Sequence, residues 1–172
     1  GMDPFAAGLM VLSIFIGNLA MKAVTSPILH RFGFKRVMII NGVLSILSII
    51  ACIFIDPNMP ISIIVAILFL NGIFRSMQFT SINTIGFADL LPNQISSASA
   101  ITSTSMQLGN TLGVALASLG LVIAHNLRDA QATVLSLADF RMSLVFIALI
   151  SAVGLLCLLQ LPNNAGDGIR KG

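Results

Sequence analysis

The chain has 172 residues, enough for one or two water-soluble domains, yet 56% of them are hydrophobic, only 9% are charged and the mean hydropathy is +1.00. So little polar surface cannot clothe a core in water, which excludes an ordinary soluble enzyme or binding domain. The net charge of +3 comes with no basic tract interleaved with aromatics, so nucleic acid is not an expected partner.

Five apolar segments are each long enough to cross the ~30 Å hydrocarbon core of a bilayer. The opening Gly1-Met2-Asp3-Pro4 has no basic signal-peptide region and reads as the start of a fragment or a processed terminus. Asp3 as N-cap and Pro4 at the first helical position begin the first span, residues 5–29. The basic stretch His30-Arg31-Phe32-Gly33-Phe34-Lys35-Arg36 follows, with Gly33 able to take positive φ in a tight turn. The second span is 37–55, and Asp56-Pro57-Asn58-Met59-Pro60 turns the chain into the third, 61–85. Asn93 is the expected N-cap of the fourth span, 94–124. Residues 125–138 form the longest polar connection, and Ser136-Leu137-Ala138-Asp139 resembles a capping box for the fifth span, 140–161. Five of the six prolines fall at these boundaries; Pro27 is the exception. Residues 1–162 are thus read as an all-α transmembrane bundle and 163–172 as a polar tail.

Charge placement orients the bundle. Arg31, Lys35 and Arg36 in the first connection and Arg170 and Lys171 in the tail fall on one side, against Arg128 and Arg141 on the other. By the positive-inside rule, residue 1 is outside and the C-terminus is cytoplasmic.

Helical spacing gathers the polar residues within the spans into stripes. Asn18, Lys22 and Thr25 fall within about 60° of arc, Asn71, Arg75 and Gln78 repeat that spacing, and Ser99, Ser103, Gln107 and Asn110 form a third stripe. Asn41, Ser45, Ser48 and Cys52 form a smaller one. Such residues belong against neighbouring helices or a wet cavity. Arg75 lies mid-helix, where an arginine costs ~2.5–3.5 kcal/mol, and is either a structural bridge or a cavity cation that meets substrate. Lys22 lies near enough to a helix end to snorkel to the interface. Gly109 and Gly113 form a GxxxG packing motif, suited to static packing or to a sliding face.

All six acidic residues are Asp, and none lies deep inside a span. His30 and His125 fall on opposite sides, Cys52 and Cys157 at different depths, and no protease motif is present. No metal, cofactor, disulfide or catalytic reading follows.

Four features occur in order: Gly1-Met2-Asp3-Pro4-Phe5 with Ala7-Gly8-Leu9-Met10, the basic stretch, Asn83-Thr84 with Asp89-Leu90, and Met106-Gln107-Leu108 with Gly113-Val114. On these the chain resembles the C-terminal part of a major facilitator superfamily transporter, of the EmrB/QacA-type drug:proton antiporter branch. That superfamily's cytoplasmic motif runs Gly-x-Leu-x-Asp-Arg-x-Gly-Arg-Arg/Lys. Here Ser26 stands at the Gly position and His30 at the Asp; Arg31, Gly33 and Lys35 match, and Phe34 replaces a basic residue. Without the Asp, this copy is expected to latch weakly. The resemblance implies the last five helices of the second half, with an N-terminal portion missing. It also implies export of drug-like hydrophobic or cationic compounds across the bacterial inner membrane, driven by protons through alternating access. The other reading of the same residues is a membrane-embedded subunit that packs against partners and transports nothing.

Overall fold

The computed structural model describes residues 4–56, 58–88, 90–91, 93–129 and 134–162. Among the described residues there are five α-helices: α1 (Pro4–Phe32), α2 (Phe34–Ile53), α3 (Ile61–Gly86), α4 (Ile95–Asp129) and α5 (Leu137–Leu159). All five are long and apolar enough to cross a membrane, and the chain is an all-α, multi-pass membrane protein. The expected N-cap Asp3 and the tail 163–172 lie outside the described residues.

Several helix ends differ from the spans read in the sequence. At 35 residues α4 is about 52 Å long, well beyond a ~30 Å core, so it must tilt or project. It carries His125 and Arg128 within the helix, which shortens the polar connection expected at 125–138. Its first intrahelical bond runs from the Ala98 amide to the Gln94 carbonyl, and the Gln94 side chain accepts from the Leu91 amide. Gln94, rather than Asn93, therefore takes the capping position.

The basic stretch is barely a loop. His30, Arg31 and Phe32 are the last turn of α1, Phe34, Lys35 and Arg36 the first turn of α2, and Gly33 alone is non-helical. Its φ of 81° and ψ of 148° suit a residue without a Cβ. Its amide donates to the Leu29 carbonyl and its carbonyl accepts from the Val37 amide, so the reversal leaves neither group unpaired. Leu29, Phe34 and Val37 pack with Met77 of α3 beneath this corner. At the other end of the bundle the Ser136–Asp139 capping box opens α5, with the Ser136 amide donating to Asp139 Oδ2 at 2.8 Å.

α3 is the central element. α1 and α2 both pack on it and touch one another only lightly; α2 also packs on α5, and α5 on α4. The closest approach is between α1 and α3. A Cβ on Gly17 would strike the Phe69 carbonyl oxygen, and one on Gly72 would strike that of Ile14. Ser76 locks this crossing by donating from Oγ to the Asn18 carbonyl at 2.8 Å. Outward faces carry large apolar side chains such as Leu19 and Leu149, as a hydrocarbon solvent requires.

Candidate functional site

The polar stripe of α3 straddles an interface. Asn71 Nδ2 donates to Ser48 Oγ at 3.1 Å, and Gln78 Oε1 accepts from Asn41 Nδ2 at 2.9 Å. Asn41 Nδ2 also reaches the Phe74 carbonyl at 2.8 Å, and Asn41 itself is buried. Asn71 and Gln78 thus join α3 to α2. Arg75, between them in the stripe, is exposed and has no hydrogen-bond or ion-pair partner among the described residues. It shares the outer edge of α3 with Phe79 and Ile82. A mid-helix guanidinium with no partner among the described residues calls for one such as water, a substrate or another segment.

α4 presents the second open polar surface. Ser99, Ser103, Gln107 and Asn110 are all exposed, and among the described residues α4 packs extensively on α5 alone. The GxxxG pair is uncovered too: a Cβ on Gly109 or Gly113 would meet nothing within 4 Å. The crowded glycine of α4 is Gly120, against the Phe146 ring of α5. A groove of about 460 Å³ runs between α3 and α4, with Phe79, Ile82 and Asn83 on one wall and Met106, Gly109 and Asn110 on the other. Its mixture of apolar surface and amides suits an amphiphilic small molecule.

The α1 stripe divides by side-chain length. Thr25 is fully buried and bonds the Met21 carbonyl, Asn18 is half-buried at the α3 crossing, and Lys22 is exposed. Ser26, His30, Arg31 and Arg36 of the motif are exposed, and Lys35 is half-buried. No carboxylate takes the place of the motif's Asp, since His30 stands there.

Two sets of residues escaped the sequence reading. The first is the Gly17–Gly72 crossing. Its signal was present as Ser13-x-x-x-Gly17 and Gly72-x-x-x-Ser76, small-xxx-small patterns with all four residues buried. The second is a charged cluster joining α4 to α5. The Asp139 carboxylate, fully buried, accepts from Arg128 Nε at 2.6 Å and Nη2 at 3.1 Å, while His125 Nδ1 lies 3.2 Å from Oδ2. Nearby, Arg141 donates to the Ile55 carbonyl at 3.2 Å and lies 3.6 Å from Asp56, tying α5 to the α2–α3 turn. His125, Arg128 and Asp139 recur at roughly helical or capping spacing, but their convergence required the α4–α5 reversal. Among the described residues no group of three or more His, Cys, Asp or Glu could hold a metal ion.

Residues 1–171 match the family model described as the Major Facilitator Superfamily, and the chain belongs to that family. Curated relatives carry the printed name "Putative multidrug resistance protein MdtD". The chain is 29% identical to that of Escherichia fergusonii over 98% of its own length and 36% of the relative's. Against that of Citrobacter koseri it is 31% identical over 95% of its length and 35% of the relative's. The protein of that name in Escherichia coli K12 gives 29% identity over 98% and 36%. The chain therefore spans about a third of the length of these relatives. No solved structure matches it.

Proposed function

We propose that this chain forms part of a secondary active transporter that exports drug-like hydrophobic or cationic small molecules across the inner membrane. The observation that carries this reading is the uncovered polar surface: Arg75 on α3, with no hydrogen-bond or ion-pair partner among the described residues, and the open stripe Ser99, Ser103, Gln107 and Asn110 on α4. Polar side chains at membrane depth are costly unless they line water, substrate or another segment. The names of the relatives support the substrate class, and membership of the superfamily supports alternating access around a midplane site. In this reading a portion contributed by the rest of the transporter faces α3 and α4 across the cavity. The proton-coupling carboxylate lies on that portion, the first connection is cytoplasmic, and the C-terminus is cytoplasmic.

The test replaces Arg75 by Ala in cells that lack other exporters of a fluorescent dye and measures dye efflux alongside membrane abundance. Efflux should fall while abundance holds. Normal efflux at normal abundance would remove Arg75 from the mechanism. The other reading, a packing subunit that transports nothing, draws on the open Gly109 and Gly113 face; it predicts no dye efflux even from the unaltered protein.

A further inference from the structure

We infer that the groove between α1 and α2 is a binding site for one anionic phospholipid, an inference that needs the chain to be a membrane protein but not to be a transporter. α1 and α2 lie side by side on α3 without closing on each other, and the channel between them has a volume of about 290 Å³. Ile28 and Phe32 form one wall, Ile40 and Leu44 the other, and Phe74 of α3 lies in the floor. Phe32 and Ile40 are more than half exposed, so the channel opens outward rather than into a core. From Leu44 to Arg36 is eight residues, about 12 Å along the helix axis, room for a stretch of one acyl chain.

The mouth of the groove is cationic. The aliphatic stem of Arg36 lines it, which sets the exposed guanidinium at its rim, and Arg31 is held beside it with its guanidinium 5.6 Å from the centre of the Phe32 ring. Lys35 adjoins them in sequence, and neither α1 nor α2 contains an acidic residue. Basic side chains at the membrane surface above an apolar slot between helices fit an anionic headgroup with its chain in the slot.

A protein segment is a poorer occupant. On α3, at 100° per residue, the floor positions Ile73, Phe74 and Met77 lie roughly 160° from the edge that carries Arg75, Phe79 and Ile82. The uncovered polar residues that call for a protein or aqueous neighbour thus lie on the far side of α3. The groove side is apolar apart from Asn41, whose Nδ2 donates to Gln78 and the Phe74 carbonyl, and it opens outward.

The test is native mass spectrometry of the chain purified in neutral detergent and titrated with phosphatidylglycerol or phosphatidylcholine of identical acyl chains. One phosphatidylglycerol should be retained under activation that strips phosphatidylcholine. Arg36→Gln should cut the preference about five-fold, the effect of the ~1 kcal/mol that one surface Lys or Arg contributes to anionic-lipid binding. Ile40→Trp, which fills the slot, should lower retention of both lipids, with helix content by circular dichroism showing that the variants remain folded. Inorganic phosphate should not displace the lipid. Equal retention of the two lipids, indifference to Ile40→Trp, or displacement by inorganic phosphate would each overturn the inference. In cell membranes, a photo-crosslinking amino acid at position 40 should yield a phospholipid adduct; a protein adduct in its place would equally overturn it.

Discussion

Gly17 and Gly72 lie on opposite sides of the α1–α3 crossing, each close enough to the opposite backbone, at Phe69 and Ile14 respectively, that neither position has room for a methyl group. Backbone carbonyls cannot rotate aside as a side chain can, so the crossing itself must open. Gly72→Ala should destabilise the bundle by about 1–3 kcal/mol, the range for overpacking a tight interior. Gly109→Ala and Gly113→Ala should change the stability of this chain little, because nothing approaches them. Unfolding in mixed micelles followed by circular dichroism checks all three, and equal losses at Gly72 and Gly109 would refute the assignment of the crossing.

The α2–α3 interface depends on one buried amide. Asn41→Leu removes donation to both Gln78 and the Phe74 carbonyl and should cost about 1 kcal/mol, the scale of interhelical hydrogen bonds in membranes. Asn71→Ala should cost less, because Ser48 keeps its bond to the Ser45 carbonyl. In an efflux assay, any loss from Asn41→Leu should follow the loss of protein from the membrane. That contrasts with Arg75→Ala, where activity and abundance should separate.

The two ion pairs at the α5 end should be unequal. The Asp56 and Arg141 side chains are each a little over a third exposed and lie 3.6 Å apart, so Asp56→Ala should cost no more than about 1 kcal/mol. Asp139→Ala removes a fully buried acceptor that gathers Arg128, His125 and the Ser136 amide in one place. It should lower the thermal midpoint further than Asp56→Ala. If the two variants melt together, the Asp139 cluster does not hold α4 to α5.

Orientation is testable separately. A reporter active only in the cytoplasm, fused after Gly172, should work, and neutralising Arg31, Lys35 and Arg36 together should weaken the topological signal. An inactive but well-expressed fusion would reverse the assignment.

Features set by local chemistry could be read from the chain. Gly33 was legible because a reversal between two apolar runs needs a residue free to adopt positive φ, and Ser136 because a hydroxyl three residues before a carboxylate caps a helix. The existence of five apolar helices follows from hydropathy and length. What periodicity could not resolve is which side of a 60° stripe meets protein. Asn71, Arg75 and Gln78 share an arc, yet two of them bond α2 and one is left open, because the edge of the α2 contact passes through the stripe. The glycine signal was ambiguous for the same reason. A small-residue pattern shows that close approach is allowed; only the packing shows whether a neighbour arrives, as at Gly72 and not at Gly109. Asp139 read as a cap alone because its other partners come from a helix that returns alongside it.

The placement of α4 bears on how the protein is made. This helix carries an open row of hydroxyls and amides, and its one extensive partner here, α5, is synthesised after it. Some 30 residues separate the end of α4 at Asp129 from the end of α5 at Leu159, roughly 2–6 s of translation. During that interval α4 lacks the helix that will hold its outer end through Asp139. A chain that carries α4 but ends without α5 should therefore keep α4 beside the insertion machinery, and adding α5 should release it into lipid.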